Sequence, residues 1–383
     1  MFDRGFNRIG FTDDDALVLD VAQRFAAEKG DPEAVRKSIS TERGYEESLW
    51  NEMVAMGWPG ILIEVDYGGA GMGVVAAVAI LEALGRRLCP SPLLPTILAS
   101  RLISDAASER QKQEWLPALA EGTIATVALH APKGSWSPLE VAVEAVDDGG
   151  KVVLSGSKHM VLDAGAAEFV VVNVTFAGKP ALAVLQPRDF PPGSILRQVV
   201  IDETRRCFKL VFDGMRISMD KLILSDAVPA ALERAGLLAN LLISAEMVGG
   251  HAGALDLVLD YLNLRETFGR KIGANQALKH PCVDIALQLE GARSLVYGAA
   301  TAAARSPDCD ETEILIRMAK AHAGAGFDFA GDRAVQFHGG IGFTYECNAH
   351  LFLRRAIWSQ VMFGDIGFHR HRLAQLLFDQ GTA

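Results

Sequence analysis

The chain is 383 residues long, 50% hydrophobic and 22% charged, with a formal net charge of −10. That length supports two or three domains with well-buried cores, and the acidic balance leaves no cationic excess to neutralise a phosphate backbone, which argues against nucleic acid. Five cysteines, odd in number and without a Cys-x-x-Cys pair, indicate neither a disulfide framework nor a zinc site and suit a reducing compartment.

Met1-Phe2-Asp3-Arg4 lacks a basic segment followed by an apolar one, and Asp13, Asp14 and Asp15 are unlike a transit peptide, so the chain reads as cytoplasmic. No apolar run reaches the roughly 18 residues expected of a membrane span. From Phe11 to about Glu121 the pattern is helical: Thr12 can cap a helix with Asp15 closing the box, and Leu17, Val21 and Phe25 follow at helix spacing. Tyr67-Gly68-Gly69-Ala70-Gly71-Met72-Gly73 interrupts that periodicity as a turn, and a helix from Val74 to Leu88 follows, with Arg86 and Arg87 where the helix dipole favours cations.

Between about Thr123 and Ile223 the texture changes to short β-branched runs such as Val152-Val153-Leu154 and Phe169-Val170-Val171-Val172. From about Ala227 onward long apolar helices return. The expected domains are therefore helical over 1–121, β over 122–225 and helical over 226–383. No P-loop, His-Glu-x-x-His, Gly-x-Ser-x-Gly or Rossmann glycine motif is present. His369-Arg370-His371 has no carboxylate or Cys at ligand spacing, so it reads as a solvated helix rather than a metal site.

Two C-terminal segments stand out: Arg265-Glu266-Thr267-Phe268-Gly269-Arg270-Lys271-Ile272-Gly273-Ala274-Asn275-Gln276, and Gln336-Phe337-His338-Gly339-Gly340-Ile341-Gly342. Arg265 carries a planar fork of donors suited to a diphosphate, and Gly339 and Gly340 let backbone amides approach an anion or adenine. The bland alternative is a helix cap and a chain turn. Together with Tyr67-Gly68-Gly69 and the α-β-α order, these segments resemble the acyl-CoA dehydrogenase family along nearly the whole chain. The resemblance implies an α+β multidomain fold: an N-terminal helical domain, a middle β-barrel or sandwich and a C-terminal four-helix bundle. It also implies FAD as cofactor, an acyl-CoA substrate, an electron-transfer flavoprotein as acceptor and an oligomer, typically a tetramer, with shared flavin sites. Arg265, Phe268, Gln276, Gln336, Gly339 and Gly340 would reach the flavin of a neighbouring subunit.

On the chain's own side the match is thinner. Leu129 to Ser135 stands where the family has Thr-Glu-Pro ending in Gly-Ser, and Val161 and Leu162 stand where it has Ile-Thr beside the flavin ring, so Leu162 offers only backbone groups. The reaction needs a carboxylate to remove an α-proton while the flavin accepts a hydride. Aligning Arg354-Arg355-Ala356 with the family's Arg-Asp-Ala puts Phe363 at the usual glutamate position. Asp365 and Glu246 are the remaining candidates. Asp365 can equally cap the next helix, and Glu246, on an apolar helix, can equally partner an arginine. These departures resemble the small subunits of pimeloyl-CoA and steroid side-chain acyl-CoA dehydrogenases, often half of an α2β2 pair. Two readings follow: a catalytic subunit acting on a bulky or carboxylated acyl-CoA, or a subunit without a base that completes its partner's FAD site.

Overall fold

The computed structural model describes residues 11–132 and 134–378, so the reading of Met1-Phe2-Asp3-Arg4 and the loop residue Lys133 lie outside the described residues. The first block is helical as expected. Its helices are α1 (Asp13–Lys29), α2 (Pro32–Ser40), α3 (Glu47–Ala55), α4 (Val74–Arg86), α5 (Leu93–Ala106) and α6 (Glu109–Ala120). The capping box forms: Thr12 Oγ1 accepts from the Asp15 amide, and the Asp15 carboxylate accepts from the Thr12 amide at 3.0 Å. α1 is rotated from the face its sequence suggests, burying Leu19, Ala22, Phe25 and Ala26 while Leu17 is exposed.

The middle block supplies β1 (Ala125–Ala128), β2 (Val143–Asp148), β3 (Lys151–Leu162), β4 (Phe169–Phe176), β5 (Lys179–Leu185), β6 (Ile195–Gln198), β7 (Cys207–Ser218) and β8 (Leu222–Ile223). They form one eight-stranded mixed sheet in the order β6-β7-β3-β2-β4-β5-β8, with β1 added beside β4. β1 and β2 run parallel to β4, and the other pairs are antiparallel. The register between β3 and β7 shifts between Lys158 and Val161, where Met160 takes a φ of 52°. Such a bulge re-aims the side chains that follow it.

The third block begins with α7 (Val228–Leu264), continues through a hairpin of β9 (Glu266–Thr267) and β10 (Arg270–Lys271), and ends in α8 (Gln276–Arg305), α9 (Asp310–His338), α10 (Ala349–Val361) and α11 (Ile366–Phe378). α7 is long and apolar enough to meet the length and composition of a membrane span, with a mean hydropathy of 1.3 over an 18-residue window, although Asn240, Glu246 and His251 interrupt its apolar run. That window is 89% buried inside the protein, so its apolarity serves the core.

Two compact units result, and both are discontinuous in sequence. One contains 38–73 and 90–239, in which α5 packs on β1 and β4. The other contains residues up to 37, then 74–89 and 240 onward, so α1 and α4 join the C-terminal helices. Within that second unit α4 and α7 meet backbone to backbone. A Cβ on Gly249 would stand 1.9 Å from the Glu82 carbonyl oxygen, and one on Gly85 would stand 2.2 Å from that of Glu246. Only glycine permits this approach.

Candidate functional site

The residues expected to touch a cofactor fall in both units. In the helical unit, α7 ends at Leu264 and the chain folds into the two-stranded hairpin. Thr267 pairs with Arg270, and the two turn residues between them, Phe268 and Gly269, have φ of 50° and 75°. Two consecutive positive φ values are those of a type I′ turn, whose twist suits a tight hairpin. The turn holds Phe268 fully in solvent.

Arg265 uses its backbone to fasten this hairpin, its amide donating to Tyr261 O and its carbonyl accepting from the Ile272 amide, both at 2.9 Å. Its exposed guanidinium has no hydrogen bond or ion pair among the described residues. α9 ends when Gly339 turns out of the helix with φ 63°. The Tyr261 ring stacks on His338 with centroids 4.2 Å apart, which ties the end of α7 to the end of α9. Neither Tyr261 nor His338 was singled out in the sequence as a positioning pair. The pair became visible only when the two helix ends met.

Gln276 opens α8 and Gln336 lies in the last turn of α9, both exposed. A Cβ on Gly339 or Gly340 would meet no heavy atom within 4 Å. Ile341, Phe343 and Tyr345 stand exposed beyond them. A guanidinium, two primary amides and open glycine backbone are the kinds of group that can engage a diphosphate, a sugar and a base.

The sheet unit offers less. The side chains of Leu129, Val161 and Leu162 are buried, so they present only backbone to a ligand. Two of their carbonyls are already engaged: Thr126 Oγ1 donates to Leu162 O at 2.5 Å, and Lys158 Nζ donates to Leu129 O at 3.3 Å. Ser135 is partly buried, and its Oγ accepts from the Ser137 amide.

Lys158 is a fully buried cation that its sequence did not betray. Burial pulls its pKa down to about 7, and burial together with the Lys158 charge pulls His130 down to about 4. In an unfolded chain Lys titrates near 10.4. The unfolded state therefore binds more protons between about pH 7 and 10, and stability rises with pH across that window. Replacing Lys158 with Met should flatten part of this rise, read as unfolding free energy from urea titrations at several pH values. An identical slope in the variant would show that Lys158 is not the group responsible.

The two carboxylates proposed as bases occupy different settings. Glu246, on α7, is 4% exposed, and its Oε1 accepts from Nη1 of Arg355 on α10, itself 1% exposed. Asp365 is exposed, and its Oδ1 accepts from the Phe368 amide at 2.7 Å, capping α11. Phe363 is buried with φ 61°. The solvated reading of His369-Arg370-His371 holds for Arg370 and His371 but not for His369, which is fully buried against α9. There Nη1 of Arg317 stands 3.4 Å from its Nδ1. No group of three or more metal-ligating side chains occurs among the described residues.

Family models match both ends of the chain: residues 12–123 match the acyl-CoA dehydrogenase N-terminal domain, and 238–378 match the acyl-CoA dehydrogenase C-terminal domain. The acyl-CoA dehydrogenase IpdE2 of Mycolicibacterium smegmatis is 27% identical over 365 residues, covering 94% of this chain and 98% of that protein. Among solved structures, a single-substitution variant of the Tcur3481-Tcur3483 steroid ACAD is 26% identical with a TM-score of 0.84, covering 96% of this chain and 98% of that one. The ChsE4-ChsE5 complex from Mycobacterium tuberculosis has a TM-score of 0.87 at 23% identity, covering 97% and 99%.

Proposed function

Because this chain belongs to the acyl-CoA dehydrogenase family of FAD-dependent oxidoreductases, we propose that it acts as one subunit of an oligomeric enzyme that desaturates a bulky or carboxylated acyl-CoA to its trans-2-enoyl-CoA. Bound FAD supplies the hydride acceptor. The observation that carries this reading is the exposure of Arg265, Gln276 and Gln336, whose side chains make no hydrogen bond among the described residues, together with the open space over Gly339 and Gly340. Arg265 neutralises diphosphate charge, the two glutamines donate and accept towards sugar and base, and the glycines admit the cofactor close to the backbone. Phe268, Leu264, Phe343 and Tyr345 are uncovered around these donors, as suits a surface that lies against a neighbouring subunit's site. Leu129, Ser135, Val161 and Leu162 hold the chain's own side of a flavin through backbone groups and one hydroxyl. Electrons leave to an electron-transfer flavoprotein in the cytoplasm.

A second reading, that this subunit brings no base of its own, is favoured by the pairing of Glu246 with Arg355 and by Asp365 acting as a helix cap. A carboxylate held against a guanidinium is a weak proton acceptor, and a capping carboxylate is committed to its amide. Steroid acyl-CoA is the substrate class that the similar steroid ACAD suggests. An assembly of two different chains is suggested by the ChsE4-ChsE5 complex.

Expressing the chain alone and with a second dehydrogenase chain, and recording flavin absorbance, tests both readings. Flavin bound in both cases supports a self-sufficient subunit. Flavin bound only in the pair supports the heteromeric one. In whichever assembly turns over, Glu246→Gln and Asp365→Asn are compared: a fall of about 100-fold or more in kcat from one of them identifies a base. Full turnover by both removes the base from this chain.

A further inference from the structure

α10 ends at Val361, and the chain turns through Met362, Phe363 and Gly364 to reach α11 at Ile366. Phe363 has φ 61° and Gly364 φ 120°, conformations that persist in a side-chain-bearing residue only when the surroundings impose them. The end of α10 imposes a second demand. The amide of Met362 reaches back to Trp358 O, while the carbonyls of Ser359 and Gln360 lie past the last intrahelical donor.

Lys320 meets both demands. It sits in the middle of α9, 1% exposed, and its Nζ donates to Ser359 O at 3.1 Å, Gln360 O at 2.9 Å and Gly364 O at 3.1 Å. Three carbonyls match the three N–H bonds of an ammonium. Two of them lie where the negative end of the α10 dipole gathers, and the third lies across the turn. One side chain thus joins the end of α10 to the start of α11.

Several charged and titratable groups face it from α9 and α11. One turn earlier on α9, Arg317 donates to Glu313, which also accepts from Arg372 of α11. His369 of α11 stays neutral, lowered to about 3 by burial and by the charges of Lys320 and Arg317. Burial brings Lys320 down to about 7, and the Asp365 carboxylate works in the opposite direction.

We propose that Lys320 is a positioning residue for the reaction, fixing the turn 359–365 and with it the places of Phe363 and Asp365. The proposal rests on the acyl-CoA dehydrogenase reading above, in which this turn is the stretch where related chains carry their base. A lysine that merely filled space would be replaceable by an apolar side chain of equal length.

The test is Lys320→Met in the assembled, flavin-loaded protein, with Lys320→Gln, which keeps two N–H donors, in reserve if the first variant does not fold. Losing hydrogen bonds from a charged donor should raise amide hydrogen exchange at Met362, Gly364 and His369 by about tenfold or more, with exchange in α7 and α8 unchanged. Over the same change kcat should fall by about tenfold or more, while KM and flavin content move by less than about twofold. Unchanged exchange in the turn overturns the proposal. Raised exchange with kcat intact also overturns it, because the latch would then be structural only. A wild-type assembly that binds flavin yet oxidises no acyl-CoA would instead sink the functional reading, and the exchange data would still decide whether Lys320 holds the turn.

Discussion

Replacing Arg355 with Met is expected to cost about 3–5 kcal/mol of folding stability, because it strips a buried carboxylate of its counter-charge. The two partners are 1% and 4% exposed, so water cannot substitute for the missing guanidinium. Helix propensity does not explain such a loss, since Met and Arg are similarly good helix formers. The variant's stability should recover as the pH falls and Glu246 becomes protonated, whereas wild-type stability should not follow that course. Glu246→Gln combined with Arg355→Met should recover much of the loss, since no uncompensated charge remains. Urea denaturation of the four proteins of this double-mutant cycle measures it. A cost below about 1 kcal/mol for Arg355→Met alone would mean the pair is dispensable to the fold. Glu246 would then be more available as a proton acceptor than its geometry implies.

Arg265→Ala should have the opposite profile, sparing the fold and emptying the flavin site. The side chain is exposed and makes no bond among the described residues, so the apo protein should melt within about 0.5 kcal/mol of wild type. Charge-assisted hydrogen bonds are worth about 1.5–3 kcal/mol, which corresponds to roughly a 10- to 150-fold weaker Kd for FAD. Fluorescence titration of FAD into the apo assembly reads this directly. In a mixed assembly the variant also reports whose flavin the arginine holds: if half of the flavin is lost, the empty sites are those this chain completes. Unaltered FAD affinity would remove Arg265 from the site. A lowered apo melting temperature would give it a structural duty instead.

Much of this was legible in the sequence where the signal is local. Thr12 and Asp15 announce the start of α1 because a capping box needs only three residues of spacing. The α-β-α texture gives the helical and β blocks, and a lone carboxylate in an apolar helix gives the burial of Glu246. What stayed hidden depends on distant partners. The parallel pairing of β1 with β4 closes a loop of about 40 residues and has no local mark. Lys158, Lys320 and His369 are residue types that normally face water; the two lysines are satisfied by carbonyls of other elements, and His369 is buried against α9 beside Lys320 and Arg317. A lysine flanked by Ala319 and Ala321, one helical turn from Ile316 and Ala323, does place a charge on the apolar side of α9. That is the one local hint the Lys320 latch left. Leu17 misled for the converse reason, since an apolar residue at helix spacing is free to face solvent.

The interleaved helical unit also has a consequence in time. α4, buried from Val75 to Gly85, leaves the ribosome about 150 residues before the segment of α7 that packs against it at Glu82, Gly85 and Arg86. At about 5–20 residues per second the nascent chain carries this apolar helix without its final cover for roughly 8–30 s. A chain halted anywhere before Asn240 would display α4 permanently. Premature termination should therefore yield aggregates or chaperone-bound fragments rather than a soluble half-protein.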